Sequence, residues 1–272
     1  MIDICICPVC KRKYEKQIPL RCEQKRYICS NGHSFDRSAK GYVNLLAPSA
    51  GAHGDNREMV LSRSRLLSSG IYAPFRNALI DQLKQLPEGA VIWDSGCGEG
   101  YYTAAAAECN RSFSVYGSDL STAALTAAHK RCNELSLFAA SSYALPADNQ
   151  TCDAVLCLFA PEAIEEFLRV LKPGGVLLLG IPGTRHLFGL KQILYDNPYE
   201  NQPRSSDLPG FELAENKEIC YDITLNDGDL IQSLFSMTPY AYRTGAEGKR
   251  RLQETDLLQT PLHFHILMYR KL

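Results

Sequence analysis

Val91-Ile92-Trp93-Asp94-Ser95-Gly96-Cys97-Gly98-Glu99-Gly100 runs an apolar stretch into three alternating glycines, and a helical pattern starts at Tyr101. Strand, glycine turn and helix in that order demand a neighbouring parallel strand. Short apolar runs supply it at Ser114 to Gly117, Asp153 to Phe159 and Val176 to Ile181, with helical stretches between them (Tyr101 to Cys109, Ser121 to Cys132, Ala163 to Leu171). Such alternation predicts an α/β fold with a mostly parallel sheet and crossover helices. The loop fits D-x-G-x-G-x-G and lacks the G-x-G-x-x-G spacing that cradles a dinucleotide pyrophosphate. It therefore implies another nucleotide-like ligand. Asp119 ends the next strand, 25 residues after Asp94, where a carboxylate can accept hydrogen bonds from both hydroxyls of a ribose.

The first 48 residues are chemically different. Five of the chain's 11 cysteines (Cys5, Cys7, Cys10, Cys22 and Cys29) fall within the first 29 residues. Cys7-Pro8-Val9-Cys10 and Cys29-Ser30-Asn31-Gly32-His33 are separated by 18 residues with strand-like ends, room for a small hairpin that folds both knuckles onto one ion. Three thiolates and an imidazole, Cys7, Cys10, Cys29 and His33, suit a structural zinc. Cys5 or Cys22 could replace His33 as fourth ligand, although Gly32 places the histidine better. So short a segment has too little core to fold alone, and the metal supplies free energy. Nine Lys and Arg against four acids give this head +5, leaving −6 for the rest of a chain whose net charge is −1. Phosphate is the natural partner of such a surface.

Residues 47 to 54, small and glycine-containing, read as a linker, giving a zinc-binding head at 1–48, a helical lid at 49–87 and a catalytic domain at 88–272. The lid should hold two helices, broken at Gly70 and Pro74. Residues 184 to 216 read as a loop insertion with one short helix at Leu187 to Tyr195. A strand at Lys217 to Leu225, a helix at Leu230 to Phe235 capped by Asp227 or Asp229, and a strand around His263 to Tyr269 should follow. No apolar run approaches the ~18 residues of a membrane span. Cysteines followed by Lys11, Arg12 and Lys13 reverse the order of a secretory signal, so a cytoplasmic location is expected.

The glycine loop resembles the cofactor loop of class I S-adenosylmethionine-dependent methyltransferases, as do Ser141-Ser142-Tyr143-Ala144-Leu145-Pro146 and Leu171-Lys172-Pro173-Gly174-Gly175. That resemblance implies a Rossmann-like, seven-stranded sheet, with Gly96 and Gly98 approaching the methionine part, Asp119 on the ribose, and Ser141 and Ser142 near the adenine. Many such enzymes have Asp where Ser141 stands, so here that contact is weaker or made by backbone. The order of zinc head, Ser68-Ser69-Gly70-Ile71-Tyr72, Cys97-Gly98-Glu99-Gly100-Tyr101-Tyr102-Thr103 and Pro182-Gly183-Thr184-Arg185-His186-Leu187 is similar to the RlmA (RrmA) family of bacterial 23S rRNA guanine-N1 methyltransferases. The similarity spans essentially the whole chain. It implies cofactor contacts at Tyr72, Glu99, Gly100 and His186, zinc at Cys7, Cys10, Cys29 and His33, a 23S rRNA hairpin as partner, and a lean toward a homodimer. One branch of that family is associated with resistance to tylosin-type macrolides. Neither DNA nor a membrane is an expected partner.

Phe159-Ala160-Pro161 ends the fourth strand opposite the methyl group, and Phe159 joins the expected cofactor-site residues. It is not the N/D-P-P-Y that serves adenine amino groups, so an exocyclic amine is a poor target. Guanine N1 carries a proton, so its methylation needs in-line placement and a base or a stabiliser at O6. His186, Arg185, Glu162 and Asp196 are candidates by location, Arg185 as the stabiliser. Two other readings share part of the pattern: a small-molecule methyltransferase acting on a quinone or polyketide, and a non-catalytic zinc-ribbon RNA-binding assembly factor. The basic head argues against the first. The intact loop with Asp94 and Asp119 argues against the second.

Overall fold

The computed structural model describes residues 4–47 and 54–272. In chain order the head contains α1 (Pro8–Tyr14), β1 (Leu20–Glu23), β2 (Arg26–Cys29), β3 (Ser34–Asp36) and β4 (Tyr42–Asn44). Two helices follow where the sequence expects them, α2 (Arg57–Ser68) and α3 (Ala73–Leu83). Then come β5 (Val91–Ser95), α4 (Tyr101–Cys109), β6 (Ser114–Asp119), α5 (Thr122–Arg131), β7 (Ser136–Ala139), β8 (Cys152–Leu158), α6 (Ile164–Val170) and β9 (Leu171–Pro182). The chain closes with α7 (Phe188–Leu194), β10 (Phe211–Leu225), α8 (Gly228–Ser236), α9 (Tyr240–Arg243), α10 (Ala246–Gln253) and β11 (Leu258–Lys271). The linker residues 48–53 lie outside the described residues.

The main sheet has the order β10-β11-β9-β8-β5-β6-β7-β4. Strand β11 runs antiparallel to both β9 and β10, and the pairs from β9 to β4 are parallel. Seven strands are those the sequence implies; the eighth, β4, comes from the head and pairs Val43 with Phe138. Two expectations change. Residues 211 to 216 belong to β10 rather than to the insertion, which ends at Gly210. Helices α1, α9 and α10 have no counterpart in the sequence pattern; α10 packs so closely on α7 that a Cβ on Gly248 would lie 2.4 Å from the Leu194 carbonyl.

Central strand β5 is buried throughout because both faces are covered. Ile92 joins a core under α2, α3, α4, α7 and α8. Val91 and Trp93 face the other way, toward the head and α6. There Trp93 stacks on Tyr116 at 5.5 Å between ring centroids and on Phe138 at 5.8 Å, and Tyr27 of the head sets its edge on Phe138 at 5.7 Å. Hence the head caps an aromatic ladder of the body instead of standing as a separate bead. Its backbone is stitched on by Ile6 N–H to the Pro146 carbonyl (2.9 Å) and Asp148 N–H to the Ile4 carbonyl (2.8 Å). Lys11 Nζ reaches Glu166 at 2.8 Å, so one of the head's nine cations serves docking.

Candidate active site and zinc centre

Pro8 fixes the first turn of α1, which places Cys7 at its N-cap and Cys10 one turn on. Cys29 ends β2, and Gly32 at φ 81° turns the chain back so that His33 faces it. Nδ1 of His33 lies 3.5, 3.4 and 3.3 Å from the sulfurs of Cys7, Cys10 and Cys29, and the last two sulfurs are 3.9 Å apart. A tetrahedral zinc with bonds of about 2.3 Å to sulfur and about 2.0–2.1 Å to nitrogen requires edges of about 3.7 and 3.5 Å. The set fits zinc and leaves no open position. Asn31 Nδ2 donates to the Cys10 sulfur at 3.3 Å, easing the charge of three thiolates. Cys5 and Cys22 stand outside this group.

At the glycine loop Asp94 is buried at 2% exposure and accepts from the Thr103 hydroxyl at 2.6 Å. Asp119 accepts from Gly98 N–H (2.9 Å) with one oxygen and Ser121 N–H (2.8 Å) with the other. It thus shapes the loop as well as facing it. Glu99, also buried, pairs with Arg131 at 3.0 Å. Burial pushes all three acids above the usual carboxylate range, Asp94 to about 7. Two buried acids and the half-buried Asp119 around one loop suit a ligand carrying an amino group and a sulfonium, whose positive charge would restore their ionised forms. Arg63 pairs with Asp55 beside this loop, and the Ser121 hydroxyl donates to the Asp55 carbonyl at 2.6 Å, which brings the start of α2 over the site. Sequence spacing offered no sign of Asp55, Arg63 or Arg131. Ser141 accepts from Tyr143 N–H at 3.2 Å and opens a 3-10 turn that includes Ser142, beyond β7.

The raised Asp94 pKa makes a stability prediction. Its native value of about 7 exceeds the ordinary 3.8, so between them the native state holds a proton that the unfolded state has lost. The contribution is complete below about pH 4 and disappears as pH rises through about 7. Asp94→Asn should remove this component: the loss of unfolding free energy from pH 5 to pH 8 in urea titrations should shrink by about 2–4 kcal/mol. Equal losses in both proteins would contradict it.

A second set meets at the carboxyl edge of the sheet. Tyr72, at the start of α3, packs on Phe264 at 5.3 Å, and His186 lies 4.5 Å from the same ring. Phe75, Phe159 and Tyr102 complete the aromatic wall. His186 Nδ1 accepts the His263 backbone N–H at 3.3 Å, so its proton sits on Nε2. Burial, with His263 and Lys191 nearby, pushes its pKa down to about 3. His186 is therefore a neutral donor at physiological pH. His263, unmarked by any sequence signal, clamps this turn: its carbonyl accepts Gly183 N–H (2.8 Å) and its Nδ1 accepts Arg185 N–H (3.2 Å). Among the other acid–base candidates, Glu162 is paired with Arg204 and Asp196 with Arg251, while Arg185 is exposed.

Residues 5–49 match the family model described as RlmA, N-terminal, and residues 92–175 match a methyltransferase domain. A 23S rRNA (guanine(748)-N(1))-methyltransferase of Streptomyces fradiae is 32% identical over 257 residues, covering 91% of this chain and 89% of its own. YxjB of Bacillus subtilis (strain 168), provisionally named for the same guanine-N(1) class, is 30% identical over 279 residues, covering 97% and 96%. By contrast, the ubiquinone/menaquinone biosynthesis C-methyltransferase UbiE of Syntrophotalea carbinolica is 35% identical over only 127 residues, 43% of this chain and 53% of its own. The quinone-type relative matches less than half of the chain, whereas the Streptomyces and Bacillus relatives match nine-tenths or more of it, and the chain belongs to the RlmA family.

Proposed function

We propose that the protein transfers the methyl group of S-adenosylmethionine to N1 of a guanine in a hairpin of 23S rRNA, acting in the cytoplasm. The carrying observation is the fusion of a head with three cysteines and one histidine around a single point to the methyltransferase sheet, an arrangement matched along nearly the full length of the rRNA-type relatives. No described helix is long and apolar enough to cross a membrane.

The cofactor supplies an electrophilic methyl on sulfur. Asp94, Glu99 and Asp119 form the acidic cradle for its charged groups, with Gly96, Gly98 and Gly100 permitting close backbone approach. Tyr72 and the aromatic wall keep water from the edge where the methyl would sit. Holding guanine N1 in line with the methyl-sulfur bond supplies the main rate advantage; forming the N1-methyl bond breaks that bond, leaves a neutral thioether and releases the N1 proton to water. His186 offers an Nε2–H to an acceptor and is unsuited to take the N1 proton. Zinc, held by Cys7, Cys10, Cys29 and His33, fixes the head, whose Arg12, Lys13, Lys16, Arg21, Lys25 and Arg26 are exposed for phosphate.

Incubation with radiolabelled S-adenosylmethionine and protein-free 23S rRNA should place label in 1-methylguanosine. If cofactor and zinc are bound yet neither free rRNA nor assembled ribosomal particles accept label, the proposal falls. Reversing Lys13, Lys16 and Arg26 to Glu should flatten the slope of log affinity against log salt by about 2 for single-stranded contacts. Unchanged rRNA binding by that variant would remove the head from the RNA surface.

A further inference from the structure

We propose that Phe159 is the stacking platform for the target base, not a contact for the cofactor. The inference rests on the rRNA-methylation reading above.

Phe159 is the most exposed member of an aromatic cluster whose centre, Phe75 and Phe264, is buried. Its ring lies 5.1 Å from Phe75, 5.6 Å from Phe264 and 6.5 Å from Tyr102. Phe75 and Phe264 are fully buried, yet Phe159 is 45% exposed. One side of the ring is therefore supported and another is left open.

Its backbone is held in an unusual state. Phe159 has φ 56°, a left-handed conformation that costs a bulky L residue about 1–2 kcal/mol. The surroundings enforce it: Phe159 N–H donates to the Gly180 carbonyl at 2.9 Å, and the Cys157 thiol donates to the Ala160 carbonyl at 3.4 Å. This turn rests on the cofactor loop itself, since a Cβ on Gly96 would lie 2.6 Å from the Ala160 Cβ. Phe159 is thus fixed, open, and one residue from the contact with the loop that would hold the methyl donor.

Sheet order separates this ring from the adenosine half of the cofactor. Asp119 ends β6 and Ser141 follows β7, whereas Phe159 follows β8 on the other side of β5. At about 4.8 Å per strand, β8 is about 10 Å from β6 and about 14 Å from β7. An adenosine held at Asp119 and Ser141 leaves the Phe159 face free. A phenyl ring offers no hydrogen bond, only a flat polarizable face, and a nucleobase is the matching shape. Guanine N1 is hidden in a paired helix, so the base must be unstacked to react, and a stacking partner beside the methyl compensates for that loss.

The test compares Phe159→Ala, Phe159→Leu and Phe159→Trp with the parent protein, using radiolabelled S-adenosylmethionine, protein-free 23S rRNA and single-turnover conditions, with S-adenosylhomocysteine binding measured by calorimetry. Phe159→Ala should slow saturated methyl transfer by between about 5- and 150-fold, the usual range for one lost base stack. Phe159→Leu should remain slowed although it fills the same apolar space, and Phe159→Trp should recover to within about threefold, since an indole also offers a stacking face. Binding of S-adenosylhomocysteine should change less than about twofold in all three, because the adenosine half lies strands away. A loss of that affinity matching the loss of rate would make Phe159 a cofactor contact, and a fully active Phe159→Leu would reduce it to apolar filling; either overturns the proposal. Absence of methyl transfer by the parent itself would instead remove the rRNA reading, and this inference with it.

Discussion

Cys10→Ala is expected to empty the zinc centre and to unfold the head from the body, with a fall of at least about 10 °C in thermal midpoint. Cys10 is fully buried, its sulfur is 3.9 Å from that of Cys29, and Asn31 donates to it. Structural zinc contributes about 10–16 kcal/mol in isolated fingers, comparable with the whole stability of an ordinary domain. In this protein the head is also tied down by its shared core, so only part of that sum should be lost. A loss of about 4–5 kcal/mol would shift the midpoint by roughly 10–20 °C in a domain of this size. Trp93 provides the local readout. It is the only tryptophan in the chain, fully buried, and stacked in the ladder that Tyr27 covers. Its emission should shift to the red as the head detaches, while zinc measured by mass spectrometry falls from one per chain to near zero. An unchanged midpoint with one zinc still bound would show that Cys10 is not a ligand.

Gly100→Val should abolish cofactor binding and strongly destabilise the catalytic domain. Gly100 stands at φ 78° as the N-cap of α4, a conformation that a β-branched residue avoids. A Cβ there would also meet the Ala128 Cβ at 2.8 Å and its Cα at 3.0 Å, both on the packed helix α5. The two penalties act together, because relieving the clash requires α4 and α5 to part. An expected cost of about 3–5 kcal/mol follows from strain plus overpacking. Gly98→Ala is the control. Its φ of 56° is similarly left-handed, but a Cβ would meet only the end of the Arg63 side chain at 3.7 Å. It should fold at a cost of about 1–2 kcal/mol. Urea midpoints and S-adenosylhomocysteine calorimetry would rank the two; equal midpoints would show that the α4–α5 contact yields freely.

Both predictions concern features visible in the sequence, and both acquire their size from contacts that the sequence hides. The C-x-x-C and C-x-x-x-H pairs mark the zinc centre because metal ligation needs few residue types at short spacing. The glycine loop is equally plain, since strand, turn and helix are all local. Helix α1 is hidden within the expected knuckle, and α10 lacks a clear apolar stripe, with Gly248 and Leu252 its buried residues. Strand β4 is only three residues long and pairs its Tyr42 with Leu137 of β7, far along the chain.

The candidate site divides in the same way. The chain alone determined the two ligand pairs of the zinc centre, the class of cofactor loop and the alternation that requires a parallel sheet, because each depends on neighbours in sequence; that His33 and not Cys5 or Cys22 completes the set was decided by the structure. Only the tertiary structure decided that the head shares a core with the body, that His186 is buried as a neutral Nε2–H donor clamped by His263, and that Glu162 is occupied by Arg204. Those properties depend on desolvation and on partners brought from elsewhere in the chain. Charge state, tautomer and exposure are set by the three-dimensional neighbourhood, and no local pattern of residue types encodes them.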